Sequence, residues 1–214
     1  MPKMKPLTPK QLTRRRRIFS AARDMIGAHG YEGMVMSQVA EAASVSPTTL
    51  YNLFNTKDQL IIAALQDFLL DNARETFKAA GGLGWRFMVG TVVGGARLTM
   101  DSPAYSEAML TALQRSRSGD PLVRMLIEDG CKSFRRSLAV MQAQSELHAD
   151  LDVANLAVQL NGVYWSSFFM WNKGVLRLVD LEKTVLSSFL AVLIPHATGS
   201  AHLALQNSLR QVQS

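Results

Sequence analysis

The chain has 214 residues, 48% of them apolar, and a formal net charge of +6. Its single cysteine, Cys131, excludes an internal disulfide and argues for a reducing cytoplasm over a secreted, disulfide-stapled fold. No apolar run approaches the roughly 18 residues that span a bilayer, and no signal-peptide core follows the basic N-terminus, so no membrane partner is expected.

The charge is unevenly placed. Residues 1–60 hold nine Lys/Arg against four Asp/Glu, whereas the other 154 residues are nearly balanced. A localised excess of this kind is the electrostatic footprint of a polyanion-binding surface, or of a solvated basic tail. Helix formers dominate the composition, and Val, Ile and Thr alternate over no long stretch, so the fold class expected is all-α.

Residues 1–11, with Pro2, Pro6 and Pro9, read as a flexible basic arm. A first helix is expected from about Leu12 to His29, with Ile18, Ala22, Met25, Ile26 and His29 on one face and Gly30 as its left-handed cap. A second helix covers about Met36 to Ala43, and Ser44-Val45 form a turn. A third opens with Ser46 as N-cap and Pro47 at its first position, and ends near Phe54. Thr56-Lys57-Asp58-Gln59 reads as a capping box that starts a fourth helix running to about Ala80.

Gly81-Gly82-Leu83-Gly84 is the clearest break. Beyond it, helices are expected over Trp85–Met100, with Gly94-Gly95 marking a kink or a close contact, and from Asp101-Ser102-Pro103 onward. Further helices are expected from Asp120 to about Leu147, from Asp152 to Trp171, from Asp180 to Ile194, and over Ala201–Gln213.

Residues 35–54 fit a helix-turn-helix. Ala40 is the small residue where two helices cross, Val39 and Val45 face the core, and Leu50 and Phe54, an i, i+4 pair, anchor the third helix. Those anchors turn Thr48, Thr49, Asn52 and part of Tyr51 outward, and short hydrogen-bonding side chains suit a major groove. Lys57 sits in the first turn of a helix, where the macrodipole disfavours a cation by about 0.3–1 kcal/mol. A phosphate shared with the free N–H groups reverses that penalty; a solvated lysine simply bears it.

Gly30-Tyr31-Glu32-Gly33, Val39-Ala40-Glu41-Ala42-Ala43, Val45-Ser46, Thr49-Leu50-Tyr51, Phe54 and Lys57-Asp58-Gln59-Leu60 together resemble the DNA-binding domain of the TetR family, over about residues 12–65. The resemblance implies that Thr48, Thr49 and Asn52 face base edges. Tyr51 and Lys57 would hold phosphates, and Ser37 and Gln38 would touch the DNA backbone. Ser46 joins this set, with Arg14 and Arg15 of the arginine run Arg14–Arg17 reaching a flanking groove. Ser44 stands where the family's turn usually carries Gly, and Met34 and Val35 stand where it usually carries Thr. The implied organisation is an arm (1–11), a DNA-binding domain (12–56) and a helical ligand-binding and dimerisation domain (57–214).

The second half shows no catalytic constellation: His148, His196 and His202 are scattered, and no metal-ligand spacing, phosphate loop or nucleophile elbow appears. No cofactor and no enzymatic activity are expected. The apolar side chains wrapping the end of one helix and lining the next suggest a homodimer interface at Leu160, Tyr164, Trp171, Leu186, Phe189, Leu190 and Leu193; an ordinary core is the alternative. From the family, a pocket for a small apolar effector is expected among Trp85, Met88, Met109, Phe134, Tyr164 and Phe168. The resulting expectation is a cytoplasmic, ligand-released repressor that binds double-stranded DNA as a homodimer. An activator or a regulator controlled by a protein partner, a small helical enzyme, and a scaffold bound to anionic lipid stay open as alternatives.

Overall fold

The structure, a computed structural model, describes residues 8–213. Positions 1–7 of the expected arm lie outside the described residues. The order is α1 (Pro9–Gly33), α2 (Met36–Ala42), α3 (Pro47–Leu53), α4 (Lys57–Ala80), α5 (Trp85–Asp101), α6 (Pro103–Arg115), α7 (Pro121–Val123), a π-helical turn (Arg124–Glu128), α8 (Asp129–Ala143), α9 (Val153–Asn172), α10 (Leu181–Leu193) and α11 (Gly199–Gln213). The fold is all-α: among the described residues the only β-type pairing is an isolated bridge between Leu147 and Ala197.

The first helix starts three residues earlier than expected. Thr8 accepts from the backbone N–H of Gln11 and the Gln11 side chain accepts from the backbone N–H of Thr8, while Pro9 occupies the first helical position. Residues 9–11 are therefore helix, not arm. Gly30, at φ 69° and ψ 174°, breaks α1 without ending it, and one further turn follows.

Other departures have similarly local causes. The helix expected to reach Leu147 stops at Ala143, because the next residues give their backbone groups to another segment. Thr198 N donates to Glu146 O at 2.9 Å, His148 N to His196 O at 3.2 Å, and Thr198 Oγ1 to Ser145 O at 2.8 Å. Asp120 accepts from Arg117 N, and Asp180 pairs with Arg177 Nε at 2.6 Å, so neither caps the helix after it. Asp152 does cap α9, accepting from Ala154 N and Asn155 N.

The chain divides into two compact units. One runs to Leu69 and includes Pro103–Met109, the first half of α6. Its core joins Ile18, Phe19, Ala22 and Ile26 of α1, Val39 and Ala40 of α2, Leu50 of α3, and Leu60, Ile61, Ala64 and Leu65 of α4. Each Val, Leu, Ile or Phe side chain among them contributes about 1.5–3 kcal/mol on burial. Met25 is only half-buried and His29 is exposed, because the buried face of α1 takes in Phe19 and Ala21 instead.

The other unit comprises Leu70–Ser102 and the residues from Leu110 onward. Its core is built by α5, α8, α9, α10 and α11, with Met88, Val92, Phe134, Leu138, Met141, Leu160, Phe189 and Leu193 at its centre. The Gly94-Gly95 pair marks a close contact. A Cβ on Gly95 would lie 2.1 Å from the Tyr164 hydroxyl, and one on Gly94 would lie 3.2 Å from the Asn72 amide.

Candidate nucleic-acid interface

The turn between α2 and α3 is tight. Val45 N donates to Ala40 O and Ser44 N to Glu41 O, both at 2.9 Å, and Ser44 takes φ 52°. That left-handed conformation is the one a glycine would supply without strain. Val45, expected to plug inward, is half-buried. Ser46 caps α3 by accepting from Thr49 N at 3.1 Å, with Pro47 in the first position.

Leu50 is fully buried and Phe54 nearly so, and the Phe54 ring lies 5.7 Å from that of Phe19. These two anchors leave Thr48, Tyr51 and Asn52 exposed on one face, Tyr51 by 49%. Thr49 is half-buried, and its Oγ1 lies 2.8 Å from Ser46 Oγ. The structure thus places the Thr49 hydroxyl in a local pair with the N-cap. Ser37 and Gln38 are exposed at the start of α2, whose N-cap, Val35, supplies no side-chain hydrogen bond.

The arginine run separates by contact. The Arg15 guanidinium stacks over Phe19 at 4.8 Å, Arg14 is half-buried, and Arg16 and Arg17 are exposed.

A clip that sequence reasoning missed joins the end of α1 to the start of α4. Lys57 Nζ donates to the backbone carbonyl of Glu32 at 3.0 Å and sits 5.3 Å above the Tyr31 ring. The Tyr31 hydroxyl donates to Asp58 Oδ1. Burial, reinforced by the Asp58 hydrogen bond and charge, raises the Tyr31 pKa. An aromatic directly after Gly30, and an Asp directly after Lys57, were the available signals. Thr56 Oγ1 accepts from Gln59 N at 3.2 Å, as one half of the expected box.

In the second unit, the expected pairing residues Leu160, Leu186, Phe189, Leu190 and Leu193 are buried in the chain's own core, so they have no surface to offer a partner. Tyr164 and Trp171 are half-buried. Of the expected effector group, Phe134, Tyr164 and Phe168 do meet. The Phe134–Tyr164 centroid distance is 6.3 Å and that of Tyr164–Phe168 is 4.8 Å. Met88 is buried and Trp85 half-buried in the same cluster, whereas Met109 falls in the first unit. Among the described residues, no group of three His, Cys, Asp or Glu is placed to hold a metal, and no helix is long and apolar enough to cross a membrane.

A buried Ala40 on α2, a left-handed residue in the turn after it and an anchored, polar-faced third helix define a helix-turn-helix in an all-helical chain. Residues 18–64 match the model of the bacterial regulatory proteins, tetR family. The HTH-type transcriptional repressor KstR of Mycolicibacterium smegmatis is 36% identical over 107 residues, 48% of this chain and 51% of that protein. The HTH-type transcriptional regulator BetI of Rhizobium meliloti (strain 1021) is 36% identical over 78 residues, 35% of this chain and 38% of that one. The chain thus spans about half the length, or less, of these curated relatives. The solved fatty acid degradation regulator FadR from Bacillus halodurans superposes with a TM-score of 0.69 at 18% identity, covering 83% of this chain and 97% of that one, a likeness of fold.

Proposed function

We propose that this chain is a cytoplasmic transcriptional repressor that binds a palindromic operator as a homodimer and leaves it on binding a small, largely apolar effector. One observation carries the reading: Leu50 and Phe54 pin α3 from beneath, and Thr48, Tyr51 and Asn52 stand exposed on its far side. In this reading Thr48, Thr49 and Asn52 address base edges. Tyr51, Lys57, Ser37, Gln38 and Ser46 fix the protein on the DNA backbone, and Arg14 and Arg15 reach toward the flanking groove.

A dimer suits this role, since two recognition helices about 34 Å apart meet successive major grooves. The pairing surface assigned here is the outer face of α9, where Val158 is 60% exposed and Met170 44%, with Trp171 at its edge. The first unit reads the operator and the second senses the effector. The effector acts by favouring a conformer of lower operator affinity, and equal affinity for both conformers would change nothing.

The test is selection of bound duplexes from a random pool by the purified protein. Recovery of a palindromic site supports the reading. Absence of any sequence preference at low ionic strength overturns it.

A further inference from the structure

Two opposite charges sit side by side at the start of α4. Lys57 and Asp58 are its first two residues, and both reach back to the end of α1. There they meet one side chain. The Lys57 ammonium lies over the face of the Tyr31 ring, 5.3 Å from its centre, while the Asp58 carboxylate accepts from the Tyr31 hydroxyl. Among the described residues, no ion pair joins Lys57 to Asp58.

Charge alone favours a different arrangement, since an ammonium and a carboxylate attract more strongly the closer they come. Adjacent residues leave a helix about 100° apart, which ordinarily keeps such neighbours separate. Here both converge on one ring, and the ring restores the separation. Its face and the Glu32 carbonyl hold the cation, and its hydroxyl occupies the carboxylate. Burial, the Asp58 hydrogen bond and the nearby negative charge raise the Tyr31 pKa, so the phenol stays a donor at neutral pH.

Resting on the reading in which Lys57 binds a phosphate, we infer that Tyr31 is a positioning residue for DNA: its hydroxyl holds the Asp58 carboxylate off the Lys57 ammonium. The ammonium has three donors, and one goes to Glu32 O at 3.0 Å. The hydroxyl keeps the other two for a phosphate oxygen. Without it, Asp58 competes for them, and a lysine neutralised from within the protein no longer displaces a counter-ion from the duplex.

The test is a double-mutant cycle on the full chain, read by binding of the selected duplex across a salt series. Tyr31→Phe keeps the ring under Lys57 and removes one oxygen atom. It is expected to weaken binding about three- to tenfold and to bring the salt slope toward that of Lys57→Ala. Asp58→Asn keeps an acceptor for the phenol without the charge, and should bind at least as tightly as the unaltered chain. The double variant should bind as Asp58→Asn alone does, because the hydroxyl matters only while there is a carboxylate to restrain.

A tyrosine that only braces the junction of α1 and α4 gives another pattern. Tyr31→Phe then weakens binding equally with and without Asp58→Asn, and that result overturns the inference. So does a Tyr31→Phe chain that binds as tightly as the unaltered one, or an Asp58→Asn chain that binds more weakly. An unchanged salt slope in Lys57→Ala removes the phosphate contact and this inference with it, while operator binding itself stands.

A measurement without DNA separates this inference from the repressor reading. A crystal structure of the Tyr31→Phe chain should show the Asp58 carboxylate within about 4 Å of Lys57 Nζ. That ion pair, with no duplex bound by any variant, supports the hold on Asp58 and sinks the repressor reading. Duplex bound and no ion pair formed sinks this inference alone.

Discussion

Lys57 Nζ donates to the backbone carbonyl of Glu32 at 3.0 Å, so the cation at the start of α4 also closes the end of α1. An ammonium has three donors, and one is committed here. Lys57→Ala should therefore show two separable losses. Denaturant titration should register about 0.5–1.5 kcal/mol of stability from the hydrogen bond. Operator binding followed by anisotropy across a salt series should lose about one unit of slope, the share of one phosphate. Lost stability with an unchanged slope would make Lys57 a clip and nothing more.

Ser46 and Asn52 sit on the same short helix, but their partners differ. Ser46 Oγ accepts from Thr49 N and pairs with Thr49 Oγ1, whereas Asn52 projects into solvent. Ser46→Ala should cost about 1 kcal/mol of stability as a lost N-cap, and should weaken all duplexes alike. Asn52→Ala should leave stability unchanged and cost about 1–3 kcal/mol on the selected operator, relaxing choice at one base pair. Equal losses on operator and random DNA for Asn52→Ala would remove it from base reading.

Ser44 holds φ 52°, a conformation in which a side chain clashes with its own backbone. Ser44→Gly should raise stability by about 0.5–1 kcal/mol in thermal unfolding, and Ser44→Val should lower it. If Ser44→Gly gave no gain, the turn would carry no strain worth relieving.

Legibility in the sequence followed the range of the interactions. The caps at Ser46, Thr56 and Asp152 involve residues two or three apart, and the hydroxyl or carboxylate at those spacings announced them. The capping box at Thr8 and Gln11 had the same signature, hidden behind a run of prolines. The buried faces of α2 and α3 were legible because Ala40, Leu50 and Phe54 each satisfy a steric requirement of the helix crossing. The second unit was less readable. Leu186, Phe189, Leu190 and Leu193 form the same apolar stripe whether they meet another chain or their own, and periodicity does not distinguish the two. The Lys57–Glu32 and Tyr31–Asp58 contacts close over 25 and 27 residues, where spacing carries no information.

Tyr105 offers a pH test. It is 7% exposed, its hydroxyl has no hydrogen-bond partner, and burial pushes its pKa up to about 12, against a smaller opposing influence from Arg23. Between the unfolded value near 10 and the folded one, the unfolded chain has lost the proton and the native chain keeps it. Stability from this group is therefore complete below about pH 10 and falls by about 1.4 kcal/mol per pH unit above it. Tyr31 and Tyr164 are raised in the same direction and steepen the total. Tyr105→Phe should be neutral or slightly stabilising at pH 7, and should shallow the decline between pH 10 and 12 when unfolding is measured across that range. An unaltered alkaline slope would show that the phenol titrates alike in both states.

The Tyr164 hydroxyl lies where a Cβ on Gly95 would go, 2.1 Å from the ideal position, while the nearest ring carbons are 3.2 Å and 3.5 Å away. The obstruction is therefore the oxygen more than the ring. Gly95→Ala should cost about 1–3 kcal/mol as an overpacked contact, more than offsetting the roughly 0.5–1 kcal/mol that alanine gains over glycine in a helix. Adding Tyr164→Phe should return most of that loss, giving a favourable coupling energy in a double-mutant cycle. Gly162, on α9 with nothing within 4 Å of its ideal Cβ, is the control, and Gly162→Ala should stabilise the protein. Additive effects of Gly95→Ala and Tyr164→Phe would mean that α5 and α9 adjust around the new methyl, and that the glycine is not needed for their close approach.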